Sequence, residues 1–398
     1  MPEVPWDKTQ AYGPFLHLFH WRWSLWPPMA AQLLIASHLI WLAQRAVRGM
    51  AGAAWHLGVC AGLAALTAAP WFLSTLMPDA FTALVPLALF LLAFGGLSRG
   101  EALWVGVLAV LSIASHLSHL PTVLAVLVAI ALLARRAGPV PRASAPAVLA
   151  VLLLCTANAI AFGRFTPSPH GSAFLLARLQ ADGPAVTLLR ARCPASGWHL
   201  CAFTDRLPMD SDAFLWNESS PLNREADGTL RRMGAMRGAA EAQVIVAATI
   251  AAYPMEVARA ALGNALVQLT KTQVGDTLVA DHLDRSARLA IEDHFPPEAL
   301  AAFDAGAQAQ GRLPALAAPL LLPHLPILLA AALLAPWLMW RHSGAAGALV
   351  AIALVALLAN AAAAGALSKP HDRYQARIAW LLPLAVGLAL LPRRAPPQ

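Results

Sequence analysis

The sequence predicts a mainly α-helical, polytopic membrane protein with about nine spans and one mainly helical extracytoplasmic domain. Of its 398 residues, 59% are hydrophobic and only 12% are charged, whereas soluble domains carry about 25% charged residues. Several apolar runs match or approach the ~20 residues that a transmembrane helix needs. A stretch of ordinary soluble composition separates the sixth run from the seventh.

The apolar runs define the predicted spans. In chain order they are Pro27–Val47, Ala51–Leu73, Ala80–Leu97, Ala102–Ser115, Leu120–Ala134, Pro146–Gly163, Ala317–Trp340, Ala345–Leu367 and Ile378–Leu391. The fourth and fifth runs are short for a span. We interpret them as two spans, and a re-entrant pair broken at Pro121 is the alternative. Before the first run, Tyr12–Trp23 mixes apolar and basic residues, which is typical of a short interfacial helix.

These runs divide the chain into three predicted domains. Residues 1–163 hold the interfacial helix and about six spans, and residues 317–398 hold about three spans. Residues 164–316 form the extracytoplasmic domain, with long helical patterns over 239–274 and 276–310. The periodicity therefore predicts that this domain is mainly helical.

The distribution of arginine predicts the orientation. With the N-terminus outside, the predicted inside loops carry Arg45, Arg48, Arg99, Arg135, Arg136, Arg142, Arg341, Arg393 and Arg394. The outside loops Pro70–Asp79 and His116–Leu120 carry no Lys or Arg. This bias is the positive-inside pattern, so we expect a bacterial inner (plasma) membrane protein with its large domain on the periplasmic or extracellular side. The net charge of +7 does not require a nucleic-acid partner, because a membrane protein gains basic residues from its cytoplasmic loops, and we expect no such partner.

The cysteines divide by location. Cys60 and Cys155 lie in apolar runs, whereas Cys193 and Cys201 lie in the predicted extracytoplasmic domain. Because exported compartments are oxidising, we predict a disulfide between Cys193 and Cys201, with two free thiols as the alternative.

One outside segment, Ser368–Arg377, breaks the charge pattern. It contains Lys369, His371, Asp372, Arg373, Tyr374 and Arg377 between two apolar runs. Charge at such a position is costly and indicates a functional site; a polar loop with interfacial anchors is the alternative. We predict that five of these residues, together with Arg164 after the sixth span, bind a lipid phosphate or substrate. The five are Lys369, His371, Asp372, Arg373 and Tyr374.

Two further polar features lie on the same predicted side. Asp79 begins the third span, where an N-cap is the simpler interpretation. His116 and His119 are three residues apart and share a helical face; they are candidates for acid–base chemistry, for metal binding or for ordinary interfacial histidines. We predict Asp79, His116 and His119 as the catalytic residues.

Four stretches resemble the GT-C class of integral membrane glycosyltransferases, in particular bacterial relatives of the dolichyl-phosphate-mannose protein mannosyltransferases and the aminoarabinose transferases. They are Ala11–Leu16, Leu76–Phe81, Ser115–Pro121 and His371–Leu384. The resemblance implies transfer of a sugar from a polyprenyl-phosphate donor to an outer-leaflet or exported acceptor. Membrane lipid and a polyprenyl-phosphate-linked sugar are the partners that it implies, and the cofactor stays open, with a divalent metal ion as one option.

The resemblance lacks one part of the family pattern. Such enzymes begin with a span and an outer loop whose aspartate acts as base or metal ligand, and in this chain Asp7 is the acid nearest to that place. We expect the reading frame upstream of Met1 to encode that span. A non-catalytic protein that binds a lipid-linked saccharide or a partner, and a lipid-linked saccharide transporter, are the two alternative functions.

Overall fold

The protein is mainly helical, which confirms the predicted fold class at this level. The structure, a computed structural model, describes residues 6–134, 138–281 and 283–392. Within these ranges there is no β-strand, and one isolated bridge joins Arg224 to Leu230. The predicted inside residues Arg135, Arg136, Arg393 and Arg394 lie outside the described residues.

The chain divides into two compact units. Unit 1 comprises Met1–Lys8, Leu154–Thr270 and Ala361–His371, and unit 2 comprises Thr9–Leu153, Lys271–Asn360 and Asp372–Gln398. Residues 271–316, which the sequence assigns to the extracytoplasmic domain, thus cluster with unit 2. The assignment of domains to membrane and aqueous phases stays a prediction.

Two groups of helices build unit 2. The first contains α1 (Tyr12–His20), α2 (Trp26–Arg48), α3 (Ala53–Leu66), α4 (Ala69–Leu73), a 3-10 helix (Pro78–Phe81), α5 (Leu84–Phe94), α6 (Arg99–Ala114), α7 (His119–Leu133) and most of α8 (Pro139–Phe162). The second contains a 3-10 helix (Gly275–Leu278), α15 (Ala287–His294), α16 (Pro297–Asp304), α17 (Leu313–Leu321), α18 (His324–Arg341), most of α19 (Ala345–Leu367), α20 (Asp372–Ala379) and α21 (Leu381–Leu390).

Helix α5 is the centre of unit 2. Its residues are apolar on every side, and those from Leu84 to Leu92 are all buried. It packs against α2, α6 and α7. A helix that is hydrophobic all round needs such complete enclosure. Helix α6 begins with a capping box between Ser98 and Glu101, and Glu101 also binds Arg45 of α2 at 2.7 Å.

Unit 1 is a smaller helical assembly. It contains α9 (Gly171–Ala181), α10 (Pro184–Arg192), a 3-10 helix (His199–Arg206), α11 (Ser211–Trp216), α12 (Gly234–Arg237), α13 (Ala239–Ala252) and α14 (Pro254–Thr270). Helix α9 packs on α11 and α13 around Leu176, Phe214 and Ile245. Cys193 and Cys201 form the predicted disulfide, with their Cα atoms 5.3 Å apart.

Several segments are able to cross a membrane. Pro139–Phe162, Leu313–Arg341 and Ala345–Leu367 are each long and apolar enough for a span. Trp26–Arg48 with Ala53–Leu66 and Ala239–Ala252 with Pro254–Thr270 qualify as bent pairs, at 116° and 101°. The described residues therefore contain three to five candidate spans, fewer than the nine that the sequence predicts.

The difference arises from helix length. The run Ala80–Leu97 yields α5 with 11 residues, which at 1.5 Å per residue reaches about 17 Å of a ~30 Å hydrocarbon core. The next two runs give α6 and α7 with 16 and 15 residues. The last run is divided at Trp380 into α20 and α21. In unit 1 the long helical pattern from Ala239 is interrupted before Pro254, because proline lacks the N–H that would continue a helix.

Apolar side chains cover the outside of the candidate spans. In the most apolar 18-residue stretch of each helix, only 28% of the residues of Pro139–Phe162 and 22% of those of Leu313–Arg341 are buried. Leu333 and Trp340 are more than four-fifths exposed. Soluble proteins rarely expose contiguous apolar faces of this size, so these helices fit a membrane protein. Helix α1 confirms the predicted short helix, and exposed Trp21, Trp23 and Trp26 follow it, as is typical of an interface.

Candidate functional site

Asp79 occupies a buried position on a tightly held turn of unit 2. It lies on the 3-10 helix Pro78–Phe81 that leads into α5, and its side chain is 4% exposed. The preceding loop is held by Gln32 of α2, whose Nε2 donates to the carbonyls of Leu73 at 2.7 Å and Thr75 at 2.8 Å. A carboxylate is rarely buried unless a cation pairs with it.

Two arginines of α20 meet this carboxylate. Arg377 Nη1 donates to Asp79 Oδ1 at 3.0 Å, and Arg373 Nε lies 3.8 Å from the same oxygen. The two arginines are four residues apart and therefore share one face of the helix. Their guanidinium carbons lie 5.2 and 5.3 Å from the centre of the Tyr374 ring, within the range of cation–π attraction. The side chain of Arg377 is 1% exposed and that of Arg373 is 28% exposed.

A hydrogen-bond relay extends the cluster to His116. Arg377 Nη2 donates to Ser118 Oγ at 2.9 Å, and Ser118 Oγ lies 2.8 Å from His116 Nδ1. The backbone N–H of Ser118 also donates to His116 Nδ1. Because this nitrogen is an acceptor, neutral His116 carries its proton on Nε2.

The charges of the cluster control its protonation. Burial by itself raises the pKa of Asp79, but Arg377, Arg373 and His116 outweigh it and hold that pKa well below its usual range. Burial and then Arg377 lower the pKa of His116 to about 4, against the opposing influence of Asp79. At neutral pH the carboxylate is therefore ionised and the imidazole is neutral.

The cluster has an excess of positive charge and unused donors. Counted over Asp79, Arg373 and Arg377 alone, two guanidinium groups and one carboxylate give a net charge of one positive unit, and the carboxylate of Asp276 also acts on Arg373. Arg373 Nε and Arg377 Nε are buried without a hydrogen-bond partner among the described residues. A buried donor without a partner is costly, and an anion within reach of both arginines would satisfy these donors and neutralise the excess charge. We call Asp79, His116, Ser118, Arg373 and Arg377 the arginine cluster.

Backbone contacts fix the position of α20. Asn360 Nδ2 donates to the carbonyl of Tyr374 at 2.6 Å and to Gln375 Oε1 at 2.9 Å. Gln375 Nε2 in turn donates to the carbonyl of Leu357 at 3.2 Å. Because all three contacts are hydrogen bonds and two of them are buried, they hold the helix in one register and so fix the direction of the two arginines.

Other predicted site residues have different surroundings. His119 is buried; its Nδ1 faces the carbonyl of Ser112 at 2.7 Å and its Nε2 faces Thr82 Oγ1 at 3.0 Å. Both ring nitrogens are thus within hydrogen-bond distance of other protein atoms, and this geometry favours a structural role for His119. Asp372 is at the start of α20, where Oδ1 accepts from the backbone of Gln273.

The remaining predicted ligands belong to unit 1. Lys369 Nζ binds the carboxylates of Asp210 at 2.6 Å and Asp212 at 3.4 Å, so its charge is already compensated. The backbone of His371 exchanges two hydrogen bonds with the side chain of Gln268. Arg164 is exposed after α8 and forms no ion pair within the described residues.

Sequence reasoning omitted two residues of the cluster from the predicted site, Arg377 and Ser118. The spacing of Arg373 and Arg377 was the available signal, since residues four apart share a helical face. Nothing in the sequence identifies Ser118, because its role depends on a contact across 259 positions. Among the described residues, no group of three or more His, Cys, Asp or Glu side chains is placed to hold a metal ion.

No family model, no curated protein and no solved structure matches this chain.

Proposed function

We propose that the protein binds a polyprenyl-phosphate-linked sugar through the arginine cluster and transfers the sugar to an outer-leaflet or exported acceptor. The observation that carries this proposal is the buried positive charge of Arg373 and Arg377 with two unsatisfied donors. The phosphodiester of a lipid-linked sugar carries one negative charge, which matches the excess. The resemblance to GT-C glycosyltransferases supplies the reaction class.

The charge balance of the reaction suits this site. An acceptor oxygen attacks the anomeric carbon, the bond from that carbon to the phosphate oxygen breaks with its electron pair on that oxygen, and the proton of the acceptor passes to water. The leaving polyprenyl phosphate then carries more negative charge than the phosphodiester did. Fixed cations stabilise charge that develops in the transition state, so Arg373 and Arg377 would assist departure of the phosphate. Asp79 holds them in place, and neutral His116 supplies an N–H donor on Nε2.

The membrane setting forms part of the proposal. We place the chain in a bacterial plasma membrane with about nine membrane-associated apolar segments, and we place the arginine cluster towards the periplasmic or extracellular side. The absence of Lys and Arg from the loops before Asp79 and around His116 supports this orientation.

A second candidate is a non-catalytic protein that binds the same lipid-linked saccharide. It is favoured by the low pKa of Asp79, because a carboxylate that holds its charge so firmly is a poor proton acceptor near neutral pH. The two candidates share the phosphate site and differ only in turnover.

Binding and turnover can be measured separately on the full chain in detergent. The probes are a short-chain polyprenyl phosphoryl hexose and the matching polyprenol without phosphate. Wild-type protein should bind the phosphate lipid and not the alcohol, and Arg373→Ala should weaken binding at least tenfold. Arg341→Ala, which removes an exposed arginine at the end of α18, is the matched control.

Release of free hexose or its transfer to an acceptor by wild-type protein would identify the transferase. Binding without turnover would identify the second candidate. Equal affinity of the wild type and Arg373→Ala would disprove the phosphate site.

A further inference from the structure

A cavity lies in unit 1. Its volume is about 220 Å³, which is below the range of ~300–1,000 Å³ that holds drug-sized ligands. Its volume therefore suits one small building block of a larger ligand. Its side-chain lining includes Trp6, Trp216, Glu218, Asn223, Arg231 and Arg232.

Aromatic rings form one wall of the cavity. The rings of Trp6 and Trp216 lie 5.5 Å apart at an interplanar angle of 35°, and Trp6 also contacts Phe174 at 5.5 Å. Trp216 is half exposed although it is large and apolar. Phe174 contacts both tryptophan rings and so fixes the wall, while the exposed part of Trp216 is available to a ligand. Such a wall favours a ligand with an apolar face.

Charged groups of both signs also line the cavity. Arg231 is held by Glu225, with Nε 3.5 Å from Oε1. Glu218 and Arg232 are exposed, and neither forms an ion pair within the described residues. A carboxylate accepts hydrogen bonds, whereas a guanidinium only donates them. The best ligand therefore both donates and accepts hydrogen bonds, and an anion without N–H or O–H groups cannot donate to Glu218.

The segment that carries the arginines is locally strained. Met233 has φ of 55°, a left-handed conformation that a non-glycine residue seldom adopts. The next residue, Gly234, lies so close to Leu222 that a Cβ there would be 1.8 Å from the Leu222 carbonyl oxygen. Strain of this kind is retained where the surrounding structure enforces it, and it is concentrated at binding and catalytic sites.

We infer that this cavity binds one uncharged pyranose unit of a saccharide. The C–H face of the ring would lie on Trp216, and its hydroxyl groups would accept from Arg232 and donate to Glu218. A pyranose combines the apolar face and the paired donors and acceptors that the lining requires. The cavity residues belong to unit 1, whereas the residues of the arginine cluster belong to unit 2. Pyranose binding in the cavity is therefore measured separately from lipid binding and sugar transfer at the arginine cluster.

The test uses the full chain in a detergent without a sugar headgroup, since a glycoside detergent would compete. The probes are the methyl pyranosides of glucose, galactose, mannose and N-acetylglucosamine, and inorganic phosphate is the charged competitor. Saturation-transfer NMR detects each ligand. We expect saturable binding of at least one pyranoside, with the strongest transfer to its ring C–H protons.

Two pairs of variants locate the site. Trp216→Ala and Arg232→Ala should each weaken binding at least fivefold. Phe165→Ala and Arg237→Ala remove exposed residues of the same types outside the cavity lining, and they should leave affinity within twofold. Because Arg232 is exposed, its variant should fold normally.

Three results would overturn the inference. They are a complete lack of saturable pyranoside binding, inorganic phosphate binding that displaces the pyranoside, and equal effects of the cavity variants and their controls. Loss of transfer activity with intact pyranoside binding would count against the proposed function alone.

Discussion

Arg377 Nη1 lies 3.0 Å from Asp79 Oδ1, although 298 positions separate the two residues in the chain. The contact ties α20 to the turn before α5 within unit 2. Both side chains are almost fully buried, so each charge depends on the other for compensation. Buried ion pairs are weak evidence for net stability, but removal of one partner leaves an uncompensated charge and typically costs about 3–5 kcal/mol.

The first prediction follows from this dependence. Asp79→Ala should lower the free energy of unfolding by about 3–5 kcal/mol, because Arg377 is left buried without its counterion. The double variant Asp79→Ala, Arg377→Ala should lose clearly less than the sum of the two single variants. Unfolding titrations in detergent for all four proteins give the coupling free energy. Additive losses would show that the two side chains do not interact.

The second prediction concerns His116 and acid. Its folded-state pKa of about 4 is below the ordinary value of about 6.5, so the unfolded chain takes up the proton first as pH falls. The stability of the folded state should therefore decrease from about pH 6.5 to about pH 4, by at most about 3 kcal/mol from this group.

The measurement is the difference in unfolding free energy between wild type and His116→Asn at each pH. That difference should change across the window, because other histidines contribute equally to both proteins. His294→Asn, at an exposed position, is the control for replacement of a histidine. An unchanged profile in His116→Asn would contradict a neutral buried imidazole.

The sequence predicts elements of this fold where a local pattern determines them. Ala345–Leu367 is a helix with the predicted bounds, because a long apolar run has no competing local structure. The disulfide of Cys193 with Cys201 is confirmed, since only eight positions separate the pair. The break at Trp380 has a local cause within the apolar run Ile378–Leu391: Pro383 lies four residues after Ala379, so it lacks the N–H that would bond the Ala379 carbonyl and its ring crowds that carbonyl.

The candidate site is only partly predictable from the sequence. Asp79, His116 and Arg373 are conspicuous because titratable groups next to apolar runs are costly. Their grouping with Ser118 depends on contacts across more than 250 positions. Lys369 has the same local setting as Arg373, yet it binds Asp210; the sequence cannot distinguish these outcomes without the positions of the acids.

The third prediction concerns helix packing in unit 1. A Cβ on Gly365 would lie 2.5 Å from the backbone nitrogen of Ala265, and backbone cannot move aside as a flexible side chain can. Gly365→Ala should therefore destabilise unit 1 by about 1–3 kcal/mol. Gly263→Ala, in α14 with open space around its Cβ position, should be neutral or slightly stabilising. Similar unfolding midpoints for the two variants would exclude close packing at Gly365.

The fourth prediction concerns the thiols. Cys60 and Cys155 are free, so denatured, unreduced protein should react with two equivalents of alkylating reagent. Reductant should expose two more thiols, at Cys193 and Cys201, and intact-mass spectrometry counts the added groups. Reduction should also lower stability by about 2 kcal/mol, as expected for a short loop. Four reactive thiols before reduction would contradict the disulfide.

The last prediction concerns the orientation of the chain in the membrane. If the positive-inside pattern applies, Ser219 in unit 1 lies outside the cell and Ser343, between α18 and α19, lies in the cytoplasm. Both serines are exposed, so cysteine should be accepted at each. In intact cells an impermeant maleimide should label Ser219→Cys, whereas Ser343→Cys should react only after the membrane is opened. Cys60→Ser and Cys155→Ser in the background remove competing thiols. Equal labelling of both positions in intact cells would contradict the orientation, and with it the placement of the arginine cluster on the outer side.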